Sequence, residues 1–294
     1  MTIINILKNI IRHPFNKNRK IKSLLIFFKW QLVSRIWDNL LVHQLSQKTK
    51  ILVKNGLTGV TGNIYTGLFE FEDMMFSLHL LEQGDLFIDI GANVGVYSVL
   101  LSGEKKANSI AFEPIPDTFR ILESNVKINN LENLVNLYNC GLGNEKKKVK
   151  FVSDLDVSNH VSSDQNIIGE NIITVDILTL NDLNISNPTL IKIDVEGFEL
   201  EVLKGASKIL ESKGLIAIII ELNGSGEKYG IKDTDVHNYL LEFGFQPVSY
   251  NPFDRELYDL KMFGNKNTIY IRDRVRVISK IANSRKIVVQ DRHV

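Results

Sequence analysis

The chain has 294 residues, 44% of them hydrophobic, with 35 Lys and Arg against 34 Asp and Glu. That is the profile of a folded globular protein with room for one large domain and an extension. A net charge of +1 singles out no charged partner, and the single cysteine, Cys140, excludes an internal disulfide and any multi-cysteine zinc site. No run approaches the roughly 20 apolar residues that span a bilayer, so the expectation is a protein of the reducing cytoplasm.

Charge is unevenly placed along the chain. Eight Lys or Arg precede the first acidic residue, Asp38. Residues 1–50 read as helical, basic and amphipathic, and residues 1–60 as a basic helical N-terminal extension. Within it Lys8, Arg12, Lys17, Arg19, Lys20 and Lys22 interleave with Ile, Leu and Phe. Such a segment either docks on the domain or rests on an anionic membrane at the inner face through residues 1–30. The apolar run Leu24–Phe28 has lysines on both sides and is too short for a secretory signal. Residues 51–66 carry Gly56, Gly59 and Gly62 and read as a hinge or an irregular β segment. From about residue 68, Phe71, Met74, Met75, Leu78 and Leu81 fall at helical spacing until Gly84-Asp85. Trp30 and Trp37 read as docking anchors.

The pattern then alternates. Strand-like runs occupy Leu86–Ile90, Ser109–Phe112, Val135–Asn139, Leu190–Ile193, Leu215–Ile220, Phe245–Tyr250 and Thr268–Arg272. Helical patterns fill Val94–Gly103, Thr118–Asn129, Phe198–Leu210 and Asp235–Phe243. Near-continuous Ile/Leu/Val strands between helices predict an α/β fold: a Rossmann-like, seven-stranded, mostly parallel sheet covered by helices on both faces. The last strand has no helix before it and is expected to insert antiparallel. Residues 147–176 change character and read as a β insertion with a polar loop. The main domain is placed at 61–273, and 274–294, with six basic residues and one Asp, is read as a basic tail.

Chemistry gathers at the predicted carboxyl ends of strands, where parallel sheets bind ligands. Asp89-Ile90-Gly91-Ala92-Asn93-Val94-Gly95 closes the first strand with a glycine turn before a helix. A dinucleotide fingerprint requires a central glycine so that pyrophosphate can approach. Here that position is Asn93, which favours S-adenosylmethionine over NAD. Glu113 ends the second strand 22 residues after Gly91, where a carboxylate accepts hydrogen bonds from a ribose. Cys140 and Gly141 end the third strand, beside the expected adenine position, with Cys140 read as a packing residue rather than a catalytic thiol. Asp194 and Glu196 cluster at the end of the fourth strand. They suit binding of the donor's amino group, a divalent metal (the less favoured option), proton transfer, or simple helix capping. His160, in the polar insertion, and Asp194 are the candidate general bases; Glu196 and Glu221 complete the acidic rim. Tyr65, Glu70 and Asn223 are candidates for an acceptor pocket.

These motifs resemble the FkbM family of methyltransferases. The resemblance rests on Asp89-x-Gly91-Ala92-Asn93-x-Gly95, Phe112-Glu113-Pro114, Asn125-Val126, Lys192-Ile193-Asp194-Val195-Glu196-Gly197-x-Glu199, Val202-Leu203-x-Gly205-Ala206 and Glu221. Thr61-Gly62-Asn63-Ile64-Tyr65 and Glu70-x-Glu72-Asp73 look like a subgroup associated with bacterial polysaccharides. One departure is Asn181, where the family often has Asp. The resemblance implies a class I fold, S-adenosylmethionine wrapped by Gly91, Asn93 and Gly95 with Glu113 on the ribose, and O-methylation of a sugar or polyketide hydroxyl. A small-molecule or glycan acceptor is therefore expected and nucleic acid is not, since no Asn-Pro-Pro-Tyr-like motif is present. Two other readings stand beside it: a sugar oxidoreductase, which lacks a Tyr-x-x-x-Lys pair, and an inactive donor-binding scaffold of a glycan-assembly complex.

Overall fold

The computed structural model describes residues 3–37, 39–152, 160–161, 172–264, 266–289 and 292–293. The chain opens with helices α1 (Ile3–Arg12) and α2 (Lys20–Ile36), joined through a short 3-10 turn at Pro14–Asn16. Ser23, Phe27, Trp30 and Ser34 recur at helical spacing and form the buried face of α2. Helix does not continue to residue 50 as expected. Leu41–Gln44 (β1) and Lys50–Val53 (β2) pair as an antiparallel hairpin. Period-two alternation sends Ile51 and Val53 into the core, and the Gln44 amide closes the turn by donating to the carbonyls of Ser46 and Thr49. The expected hinge contains a helix, α3 (Thr58–Thr66). Helix α4 (Phe71–Leu80) follows where the apolar spacing predicts one.

Strands and helices then alternate: β3 (Leu86–Ile90), α5 (Val96–Lys105), β4 (Asn108–Phe112), α6 (Pro116–Ile128) and β5 (Val135–Tyr138). The β insertion forms its own small sheet from β6 (Gly141–Leu142), β7 (Lys147–Val152), β8 (His160–Val161) and β9 (Ile172–Leu178), in the order β6-β9-β7-β8. The main sheet resumes with β10 (Leu190–Ile193), α7 (Glu199–Lys204), α8 (Ser207–Leu210), β11 (Ala217–Glu221), α9 (Asp233–Glu242), β12 (Gln246–Asn251), β13 (Glu256–Asp259) and β14 (Asn267–Ile271). Helix α10 (Arg274–Asn283) and a short β15–β16 pair (Val288–Val289, Arg292–His293) end the described chain. The single helix expected at 198–210 is two, because Gly205 lies against the carbonyl of Gly143 and leaves no room for a side chain there.

The strand order is β13-β12-β14-β11-β10-β3-β4-β5. All seven expected strands are present, and β14 is inserted antiparallel between β11 and β12. An eighth strand, β13, hangs antiparallel on the edge at β12. Alternate residues divide between two cores. Phe87, Leu190 and Ile219 face a layer that includes α2, α4, α5 and α10, while Ile88, Ile191 and Ile218 face α7, α8 and α9. The segment read as a basic tail therefore begins as a helix, capped by Asp273 and anchored by buried Val277 and Ile281. No helix among the described residues is long and apolar enough to cross a membrane.

Candidate active site at the carboxyl rim of the sheet

The turn after β3 is held almost entirely by its own protein neighbours. The N–H groups of Gly91 and Ala92 both donate to the Phe112 carbonyl, at 3.0 and 2.9 Å. Gly91 has φ +76°, and a Cβ there would overlap the carbonyl oxygen of Asp194. Gly95 has φ +84°, and its Cβ would overlap Leu122 of α6. Both positions favour glycine for their left-handed backbone, but the missing side chain makes room for β10 and α6 rather than for a ligand. Asn93, also left-handed at φ +51°, is the exposed tip of the turn.

Two carboxylates serve this turn differently. Asp89 is buried, and its Oδ2 accepts from the Ser98 hydroxyl at 2.7 Å and the Ser98 N–H at 3.2 Å. That oxygen ties the end of β3 to the first turn of α5. Glu113 sits at the end of β4 with one oxygen accepting from Asn93 N and the other from Ile115 N, each at 2.9 Å. Burial pushes its carboxyl up to about 7, although these two N–H groups favour the charged form. Each oxygen keeps a lone pair for a further donor, so Glu113 fits a ribose diol. Cys140 is buried in the core with Leu142 and Phe112, and burial pushes its thiol up to about 11. The space beside Gly141 is filled by Ile177, whose Cδ1 lies 2.6 Å from an ideal Cβ position.

The rim at β10 and β11 has another character. Asp194, Glu196 and Glu221 each place a carboxylate oxygen within 4.8 Å of the others. Asp194 is tied to the glycine turn by its N–H, which donates to Ile90 at 3.0 Å. Glu196 and Gly197 both have positive φ, +56° and +104°. Buried Glu199 braces this bend by accepting from Gly197 N at 3.0 Å and Val195 N at 3.3 Å. Ser225, in the loop after β11, packs its carbonyl against Gly197. A strained non-glycine residue held this firmly on a ligand rim is a functional sign. Burial, then repulsion from Asp194 and Glu196, raises Glu221 to about 8.

Sequence reasoning quoted Lys192 within a motif and gave it no role. Its ammonium lies 2.7 Å from Asp194 Oδ2 and 5.0 Å from the centre of the Tyr97 ring. Burial works against its charge, but Asp194, Glu70 and Asp89 more than offset that and hold the pKa above the ordinary lysine value. Tyr97 in turn donates to Glu70 at 2.7 Å. Asp73 accepts from Asn267 at 3.1 Å and is pushed up to about 7 by burial and by Glu70. The available signal was a lysine inside the buried run Leu-Ile-Lys-Ile, since lysine is almost never fully buried unless paired. Tyr65 leaves the list of pocket residues, because its ring packs on Phe27 in the core. Asn223 stays on the rim loop, with its side chain accepting from Ser225 N. His160 lies in β8 by its backbone, and its side chain, like most of the polar loop, lies outside the described residues.

Beyond the acidic rim, at the β12 end of the sheet, a groove of about 360 Å³ is lined by Phe71, Glu72, Tyr250, Asn251, Phe253 and Tyr258 among others. The first turn of α4 joins it to the rim: Phe71 and Glu72 face the groove while Asp73 reaches Asn267.

The sequence is similar to that of known methyltransferases. The chain is 30% identical over 165 residues to hexuronic acid methyltransferase AglP of Haloferax volcanii, covering 55% of this chain and 63% of that protein. It is 26% identical to Methyltransferase 1 of Beauveria bassiana, covering 65% of this chain and 85% of the relative. Among solved structures, the methyltransferase FkbM from Methylobacillus flagellatus KT aligns over 83% of this chain and 59% of its own, at 18% identity and a TM-score of 0.44. The methyltransferase FkbM domain model matches residues 89–247, which run from Asp89 through the glycine turn, Glu113 and the acidic rim to β12 and make up more than half of the chain. The chain belongs to the FkbM methyltransferase family.

Proposed function

We propose that the protein transfers a methyl group from S-adenosylmethionine to a hydroxyl of a sugar acceptor. The observation that carries this reading is the gathering of carboxyl groups on the rim, two of which, Glu113 and Glu221, burial holds partly protonated near neutral pH. Glu113, Asp194, Glu196 and Glu221 surround the turn with Lys192 set among them. Such a rim suits a cationic sulfonium and opposes a pyrophosphate, against the dinucleotide alternative. The donor, when bound, supplies an activated methyl group. Glu113 and the Asn93 turn hold its nucleoside and methionine parts. Asp194 orients the acceptor hydroxyl and takes its proton as the new bond forms, with Lys192 donating to its Oδ2 at 2.7 Å. Glu221, raised to about 8, is the second proton site of the rim. The aromatic groove beside Asp73 suits the apolar face of a pyranose ring, with Glu72 and Asn251 for its hydroxyls. The name of AglP, a hexuronic acid methyltransferase, supports a sugar acid as the first acceptor to try. The spacing of Asp194, Glu196 and Glu221 also fits a divalent cation, and a chelator separates that version from the metal-free one.

The test is methyl-tritiated S-adenosylmethionine with hexuronic-acid oligosaccharides and, in parallel, polyketide alcohols. Label in the sugar supports the proposal. Donor binding without transfer to any acceptor supports a donor-binding scaffold. His160→Ala distinguishes the bases: retained turnover leaves the role to Asp194, and lost turnover with donor affinity intact returns it to His160.

A further inference from the structure

Helix α2 is apolar on two faces. One face, Ser23, Phe27, Trp30 and Ser34, packs into the core, where Phe27 meets Tyr65 at 5.2 Å between rings. On the other side Ile21, Leu25, Phe28, Leu32 and Ile36 are 77%, 64%, 54%, 65% and 75% exposed. At about 100° per residue these five fall within a sector of about 80°, a straight apolar stripe roughly 22 Å long. Trp37, Val42 and, on α1, Ile3, Ile4 and Ile11 are further exposed apolar side chains. Soluble surfaces rarely leave so many large aliphatic side chains in one row.

Charge says what covers it. On the same helical projection Lys22 and Lys29 flank the stripe on one side, and Arg35 and Lys20 on the other. Residues 3–37 hold eight Lys and Arg and no Asp or Glu. An apolar row between two cationic borders matches the acyl–headgroup boundary of an anionic bilayer, with the long basic side chains reaching back to the phosphates. A second copy of this chain would set eight cations against eight and gain no charge complementarity. We propose that α2, with α1, docks the protein on an anionic membrane surface through the Ile21–Ile36 stripe. The buried face of α2 meets Tyr65 of α3, whose carbonyl accepts from Asn16, and the neighbouring Phe15 packs on Phe71 at the start of α4.

The experiment is flotation of the full chain, without donor or acceptor, with vesicles of phosphatidylcholine alone or with about one-third phosphatidylglycerol. The expected result is binding to the anionic vesicles only, weakened by salt. Leu25→Asp with Phe28→Asp should lower the bound fraction about tenfold or more. Lys20→Glu with Lys29→Glu should do the same on anionic vesicles. These side chains are exposed, so circular dichroism melts of both variants should match the parent. Absence of binding at low salt, or equal binding by the aspartate variant, overturns the proposal. Loss of a dimer in light scattering on Leu25→Asp, with no vesicle binding, also overturns it and assigns the stripe to a second copy. None of these readouts depends on methyl transfer, so failure of the activity leaves the membrane proposal intact, and the reverse.

Discussion

The two halves of the rim are built on opposite principles. Around β3 and β4, polar groups are matched to protein partners: Asp89 to Ser98, Glu113 to Asn93 and Ile115 N–H groups, Gly91 and Gly95 to the atoms that fill their empty side-chain positions. Around β10 and β11, carboxylates crowd one another, and burial, then repulsion from Asp194 and Glu196, raises Glu221 to about 8. The first half is fixed by hydrogen bonds and close packing within the protein. The second holds repulsion that a bound cation or a shared proton relieves. The two halves meet where Gly91 touches the Asp194 carbonyl, so the geometry of the donor turn is transmitted directly to the proposed base.

The largest effect is expected where the halves touch. Gly91→Ala would drive a Cβ into the Asp194 carbonyl and place alanine at φ +76°. A loss of about 4 kcal/mol or more is expected, read as a collapse of the urea midpoint. A variant that melts like the parent would show that β10 yields easily and that the two halves are independent. Next is Lys192→Met. It leaves Asp194 without its 2.7 Å partner beside two further acids, and a cost of about 3 kcal/mol is expected together with loss of turnover. Full activity would remove the Lys192–Asp194 pair from the account.

Smaller effects separate the two principles. Glu221→Gln removes one of the crowded acids. The folded carboxyl titrates near 8 and the unfolded one near its ordinary value, so between those pH values the folded state holds a proton that the unfolded state lacks. This group's contribution to stability therefore declines as pH rises across that window and is lowest above about pH 8. The variant should gain on the parent at about pH 8.5 relative to about pH 5 in paired melts. A constant difference would mean that Glu221 is not crowded in solution. The smallest expected change is Asn93→Gly. It removes an exposed side chain at φ +51° and should leave stability within about 0.5 kcal/mol, while a gain of NAD affinity would show that the tip alone decides the cofactor.

The seven main strands were legible because strands such as Leu190–Ile193 and Ala217–Glu221 are buried on both faces and read as unbroken apolar runs. Strand β13 was not, since Glu-Leu-Tyr-Asp sits on an edge and is mostly exposed. The β1–β2 hairpin was hidden by short strands lying beside a long helical pattern. The turn from Asp89 to Gly95 and the acid Glu113 were legible as the ends of two strands, but their packing was not: that Gly91 makes room for Asp194 is a contact across 103 residues of sequence, which local spacing cannot encode. Lys192 was visible as an anomaly in a buried strand, yet its partners Tyr97 and Glu70 lie on α5 and just before α4, elements that only folding brings together.

The central claim is that this rim holds a cationic nucleoside donor through Glu113. Isothermal titration of S-adenosylmethionine and of NAD into the parent chain and into Glu113→Gln tests it directly. The account predicts saturable binding of S-adenosylmethionine, none of NAD, and an affinity for S-adenosylmethionine about tenfold or more weaker in the variant. Tight NAD binding, or S-adenosylmethionine affinity indifferent to Glu113, would contradict it.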